Sequence, residues 1–241
     1  MLNPSRSQIF RLLTSKNWLI FTGLIVIAIA VCIRLGIWQY ERHEARVNFN
    51  QSVATALSSA NQELDFSKND YSSWQKITVE GSFKAESQKL VRRRYLEGQL
   101  GFWVVAKFST ANGKVVLVNR GFTPARAAAT ESPDVPKPAS GLITIEGYLQ
   151  NLEPEVARPD DLPTGQVNAI NRTQFELGAQ DFPFYLNQLN GSGELQPVNP
   201  PELTFGSHLA YSLQWFVFAF MILLGWGILT RKELAELTKL D

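Results

Sequence analysis

Two uncharged apolar runs, one near each end of the 241-residue chain, limit what it can fold into. No charged residue occurs from Trp18 to Ile33, and Leu35 to Trp38 continue the run past Arg34. A bilayer core of about 30 Å is crossed by about 20 helical residues. Residues 18–38 meet that length if Arg34 snorkels to the nearby interface. Trp18, Trp38 and Tyr40 then fall at the two interfaces, where amphipathic aromatics collect. The second run, Leu209 to Leu229, is stopped by Arg231 and Lys232. Gly225 and Gly227 within it are tolerated in a membrane helix. A membrane-spanning helix is therefore expected over 18–38 and another over 208–229.

A cleaved signal is the rival for the first run, because Ala28-Ile29-Ala30 has a small-x-small pattern before Cys32. Val31 is too large to precede a lipidated cysteine, and the apolar run continues beyond the cleavage point. The segment reads as an uncleaved anchor. Arg6, Arg11 and Lys16 precede the first span, and Arg231 and Lys232 follow the second, which predicts that both termini are cytoplasmic. Residues 1–17 and 230–241 are then the cytoplasmic ends, and residues 39–207 form a domain facing the periplasm. No Arg- and Ser-rich transit segment precedes the first span, which favours a bacterial inner membrane.

Charge is nearly balanced, 23 basic against 22 acidic residues, so nothing global points to nucleic acid. Cys32 is the only cysteine, which excludes intrachain disulfides and paired-cysteine metal sites. The histidines number two, His43 and His208, both at the boundary between span and domain. A domain without histidine of its own argues against Ser-His-Asp or Cys-His chemistry. No HExxH, Walker loop or GxGxxG occurs.

Past Trp38 the helical pattern continues to about Ala60, with Gln39, Arg42, His43 and Arg46 on one face, expected to be a solvated extension of the first helix. Strands follow at 74–83, 88–96, 101–109, 114–122, 142–150 and 182–189. Asn112-Gly113 marks a hairpin between the third and fourth. A short helix is expected at about 171–179. "ITVEGSF" (77–83) echoes "ITIEGYL" (143–149), and the glycine of each is read as a bulge or bend. The fold class is thus membrane α plus β: two transmembrane helices flanking an extracytoplasmic, mostly antiparallel, barrel- or sandwich-like domain.

Arg92 and Arg94 are expected on one face of a strand, either solvated or meeting acidic groups such as lipid head groups or haem propionates. "VNRGF" places Asn119, Arg120 and Gly121 at a strand end, with the arginine pairing locally. On the second span His208, Tyr211, Ser212 and Trp215 recur at i, i+3, i+4 and i+7, one stripe. A neutral imidazole there can bind iron axially, and flanking aromatics can hold a planar macrocycle. An ordinary interfacial aromatic belt gives the same spacing, and the residues alone leave both readings open.

Four segments carry a family resemblance: "LGIWQYER" (35–42), "VLVNRGFTP" (116–124), "FPFYLNQ" (182–188) and "HLAYSLQWFVFA" (208–219). With the two-span architecture they make the whole chain resemble the Surfeit-locus-one (Shy-one) family of cytochrome c oxidase assembly proteins. The resemblance implies a non-enzymatic role in maturing the haem-bearing catalytic subunit of a haem-copper oxidase. It further implies transient binding of haem a, with contacts to that subunit, to a haem a synthase and to membrane lipids. The family's haem-associated histidine corresponds to His208, implied as an axial ligand of the haem iron, with Tyr211 and Trp215 beside the cofactor. Trp38, Gln39 and Arg42 match a Trp-Gln-x-x-Arg motif, and Asn119, Arg120 and Gly121 match the middle motif. The chain departs from the family at Phe122, where tryptophan is usual, and in 165–176, where an Asn-x-Trp-Tyr type segment is not recognisable. His43 matches no family position. A scaffold that stabilises an oxidase intermediate without binding haem is the alternative.

Overall fold

A computed structural model describes residues 6–68, 70–126, 131–190 and 195–240. The chain divides into two compact units, 1–51 with 203–241, and 52–202.

Helix α1 (Arg6–Leu13) precedes α2 (Lys16–Ser58), a single helix of 43 residues that lies in the first unit up to Gln51. No proline or glycine pair interrupts α2, so the helix continues from its apolar run through the polar stretch beyond Trp38. Helix α3 (His208–Leu240) likewise runs past the expected end at 229. Only 11% of the most apolar window of α2 and 6% of that of α3 is buried. Leu24, Ile27, Leu223 and Leu224 are each more than half exposed. A core helix of a soluble protein would bury such residues, so their exposure fits helices that cross a membrane.

The two helices meet along a seam of small and polar side chains. Cys32 and Gly36 of α2 are buried, as are Ser212 and Ala219 of α3. The Ser212 hydroxyl donates to the Gly36 carbonyl at 2.8 Å. A Cβ on Gly36 would stand 2.9 Å from the Phe216 ring. Small residues let membrane helices approach closely, and cross-helix hydroxyl bonds then add to the contact. Farther along, Trp226 Nε1 donates to Thr22 Oγ1 at 3.2 Å.

The second unit is a mixed sheet. Its strands are β1 (Gln62–Glu63), β2 (Lys76–Leu96), β3 (Gln99–Thr110), β4 (Val115–Pro124), β5 (Ile143–Asn151), β6 (Gln166–Val167) and β7 (Phe184–Gln188). The order is β1-β2-β3-β4-β7-β5, with β6 beside β2, and β5 also pairs with β2. The strand path β2-β3-β4-β7-β5 thus returns to β2. The longer pairings are antiparallel, but β1–β2, β4–β7 and β2–β6 are parallel, so the sheet is more mixed than the alternation predicted.

Three local expectations change. The strands expected at 74–83 and 88–96 are one strand, β2, carried across a register shift between Lys84 and Lys89. There the Ser87 hydroxyl donates to the Lys84 carbonyl and accepts from the Lys107 amide at 2.9 Å, standing in for a ladder bond. The echoed glycines are not bulges, because Gly81 and Gly147 keep regular register. A Cβ on Gly81 would strike the Ser109 carbonyl, and one on Gly147 the Asn187 carbonyl, so glycine there permits close backbone approach. The helix expected at 171–179 is turns only. Glu155 accepts from the Arg172 and Thr173 amides, Phe175 donates to the Asn171 carbonyl, and Glu176 takes φ +50°, which ends the helical path.

One core cluster joins Ile77, Val79, Phe108, Val118, Ile145 and Leu186. Another joins Val91, Val105, Leu117, Ile170, Phe175 and Tyr185. The strand residues among them follow the period-2 pattern that the sequence displays, and Ile170 and Phe175 join from the segment between β6 and β7.

Candidate functional site at the α2–α3 helix pair

The motif residues separate into two places. Asn119, Arg120 and Gly121 lie within β4, not at its end, and all three are buried. Asn119 Nδ2 donates to Asn187 Oδ1 at 2.7 Å across the β4–β7 pairing, which joins the middle motif to "FPFYLNQ". Arg120 is 1% exposed, and its guanidinium donates to Gln88 Oε1, to the Pro136 carbonyl at 2.8 Å and to the Lys137 carbonyl at 3.3 Å. Burial lowers its pKa. Gly121 has φ +142°, and a Cβ there would stand 2.7 Å from the Gln196 carbonyl. This cluster holds the domain together and pins the Pro-rich 133–138 connector, and its buried side chains offer no surface to a ligand.

Arg94 is also committed internally. It pairs with Glu153 at 2.7 Å and stacks over Trp103 at 4.4 Å. A register shift between Val91 and Arg94, with Arg93 at φ +56°, breaks the simple alternation expected for Arg92 and Arg94. Arg93 is turned outward and exposed.

Trp38, Gln39, Arg42, His208, Tyr211 and Trp215 belong to the helix pair. His208 opens α3 and Gln39 follows Trp38 on α2. His208 Nδ1 lies 2.9 Å from Gln39 Oε1. An amide oxygen only accepts, so in the neutral ring this contact puts the proton on Nδ1 and leaves the lone pair on Nε2. The Cδ2–Nε2 edge faces Gly206, whose Cβ position would be 3.9 Å from Nε2. Gly206 has φ +65°, a conformation that suits glycine, and its missing side chain leaves that ring edge uncovered.

Beside His208 is a cavity of about 370 Å³, lined also by Arg42, Arg46, Phe49, Thr204, Phe205 and Gly206. Among the described residues no acidic side chain lines it. Arg46 Nε and Asn50 Nδ2 each donate to the Thr204 carbonyl at 3.0 Å. His43 packs its ring 6.4 Å from that of Phe205. Its Nδ1 is buried and has no hydrogen-bond partner among the described residues. The face expected to be solvated is thus partly covered by residues 204–206. Arg46, Asn50, Thr204 and Phe205 were not legible as site residues. The only sequence signal for Arg46 was its place on the Gln39–Arg42 face.

Tyr211 and Trp215 stand apart from this cavity. Tyr211 is 50% exposed, and the half-buried Trp215 packs edge-on to Phe218 at 5.8 Å. Trp38 is 45% exposed. The stripe divides: His208 and Ser212 face α2, and the aromatics follow the outer rim of the seam.

The donor set is an imidazole with a defined free Nε2, two guanidiniums and two phenyl rings. It suits a metal-bearing, partly apolar, anionic ligand better than a bare cation, because a hard cation needs oxygen ligands and suffers repulsion from arginine.

Two apolar helices framing a mixed β domain fit a two-pass membrane protein. The comparisons with known proteins narrow this class. The SURF1 family model matches residues 26–220, and the chain belongs to that family, whose members are oxidase assembly factors rather than catalysts. It is 27% identical over 241 aligned residues to an uncharacterised SURF1-like protein of Mycobacterium tuberculosis, covering 92% of this chain and 86% of the relative. A Mycobacterium bovis SURF1-like protein matches to the same extent. A SURF1-like protein of Monosiga brevicollis is 25% identical over 228 residues, covering 84% of each chain.

Proposed function

We propose that this chain is a haem-copper oxidase assembly factor that holds haem a transiently at the α2–α3 helix pair and assists its insertion into the catalytic subunit. The observation that supports this most is the His208–Gln39 hydrogen bond, which leaves Nε2 as a free ligand beside the cavity. When bound, the haem would supply a Lewis-acidic iron that the His208 imidazole would hold. The chain's part is to fix the imidazole tautomer through Gln39 and to keep its Nε2 edge open at Gly206. A holder must also release its cargo, which suits one protein ligand better than two. The 52–202 domain, which we read as a small barrel from its returning strand path, is the surface for the catalytic subunit or a haem a synthase. The helices lie among inner-membrane lipids with both termini cytoplasmic and the domain in the periplasm, an orientation supported by the basic residues flanking the spans.

Protein purified from cells that make haem a is expected to carry a haem absorption band that His208→Ala removes. Apo wild-type protein, with oxidase assembly unaffected by His208→Ala, overturns the proposal. Loss of assembly without haem in either protein selects the scaffold alternative. A reporter active only in the periplasm is expected to stay silent when fused after Asp241.

A further inference from the structure

The lining of the cavity specifies its occupant more closely than a single imidazole does. Arg42 and Arg46 are one helical turn apart on α2, and both line it. Like charges at this spacing repel, and among the described residues no acid in the lining offsets them. Arg46 is also oriented. Its Nε donates to the Thr204 carbonyl at 3.0 Å, and its Cζ lies 5.6 Å from the Phe49 ring centroid. Asn50 fixes the same carbonyl from the next turn at 3.0 Å. With Nε spent on a fixed acceptor, the two terminal nitrogens of Arg46 remain as a planar fork, the geometry that matches a carboxylate. His208, the first residue of α3, lines the same cavity, so the helix dipole adds to the positive potential there.

An occupant that satisfies this lining offers a Lewis-acidic metal to Nε2, apolar surface to Phe49 and Phe205, and carboxylates to Arg42 and Arg46. A bare metal ion lacks the last two. A phospholipid lacks the first. A metalloporphyrin with free carboxylates has all three.

Building on the haem-holding reading above, we propose that Arg42 and Arg46 form a carboxylate clamp that selects the diacid form of the porphyrin and orients it toward His208. Arg42 and Arg46 are binding residues in this assignment, Asn50 and Thr204 positioning residues.

The test titrates the full-length protein in detergent with ferric protohaem and with its dimethyl ester, followed by porphyrin absorbance. The wild-type protein is expected to bind the diacid about 10-fold or more tightly than the ester, the discrimination that charged hydrogen bonds supply. Arg42→Gln with Arg46→Gln is expected to bring that ratio close to one by weakening the diacid alone. Arg93→Gln removes an exposed charge in the β domain, away from the cavity, and should keep the preference. His208→Ala should lose the ligation spectrum with both porphyrins. A wild-type ratio near one, or equal weakening of diacid and ester in the double variant, overturns the clamp and leaves the His208 reading standing. A wild-type protein that binds neither porphyrin overturns both.

Discussion

Gln39 Oε1 accepts from His208 Nδ1 at 2.9 Å, a bond between residues 169 positions apart in the chain. It joins the Trp-Gln-x-x-Arg motif at the end of the first apolar run to the histidine that opens the second. The glutamine is therefore the orienting partner of the imidazole, as outer-shell partners are in metal sites.

Replacing that partner should weaken haem binding without abolishing it. Gln39→Leu is expected to lower ferric protohaem affinity about 10- to 100-fold, the usual effect of losing a partner of this kind. Gln39→Glu keeps an acceptor and is expected to retain binding, with the bound iron's reduction potential shifted downward by the more basic imidazole. Absorbance titration and a redox titration of the loaded protein check both. Equal affinity in wild type and Gln39→Leu would remove glutamine from the site.

The helix seam makes a separate prediction. Gly36→Leu places a side chain where a Cβ alone meets the Phe216 ring at 2.9 Å. Overpacking of this kind costs about 1–3 kcal/mol. SDS unfolding of the detergent-solubilised chain should shift accordingly. Adding Phe216→Ala should restore much of the loss, because the two changes share one contact. An unchanged unfolding midpoint for Gly36→Leu would place the seam elsewhere.

In the β domain, Arg120→Met should destabilise without touching the helix-pair site. It leaves the Gln88 side chain and the Pro136 and Lys137 carbonyls without their donor. Hydrogen bonds to charged groups and unsatisfied buried acceptors together suggest about 2–4 kcal/mol. Urea unfolding measures the loss, and limited proteolysis should become faster in 133–138. Lysine is expected to rescue poorly, since it lacks the planar fork.

Two tyrosines set an alkaline limit on the domain. Burial, and then the charge of Glu153, push the Tyr185 hydroxyl up to about 12. Burial raises Tyr148 further, and its hydroxyl donates to the Val198 carbonyl at 2.8 Å. In the unfolded chain tyrosine ionises near pH 10. A raised folded pKa gives stability that is fully present below about pH 10 and is lost as pH rises through the folded value. For Tyr185 the window is about pH 10 to about 12, worth at most about 2–3 kcal/mol. Tyr185→Phe should flatten the decline in urea midpoint over that window. An identical pH profile in the variant would contradict the assignment.

Much of the architecture is legible in the sequence. Apolar runs of bilayer length marked α2 and α3, because helix length and hydrocarbon thickness are fixed relative to each other. Period-2 alternation located β2 to β5 and β7 within a few residues. The Asn112-Gly113 turn is the β3–β4 connection, with Gly113 at φ +73°. The errors lay where long-range contacts outweigh local pattern. Ser87 carries β2 across a polar break, and Glu155 with Glu176 stops a helix that residues 171–179 favour locally. Arg92 and Arg94 were expected to share one face of a strand, but a register shift between Val91 and Arg94 breaks the alternation and Arg94 pairs with Glu153.

The sequence alone determined that His208 and Gln39 stand at the boundary ends of two apolar helices, because periodicity and hydropathy act within a segment. It could not determine that they touch. Only the tertiary structure joined Gln39 to His208, Arg46 and Asn50 to Thr204, and Asn119 to Asn187. Each of these bonds links residues at least 68 positions apart. Such partners are selected by helix packing and strand register, which no local spacing encodes. The same packing divided the four-residue stripe, turning His208 and Ser212 toward α2 and leaving Tyr211 and Trp215 outside the cavity lining.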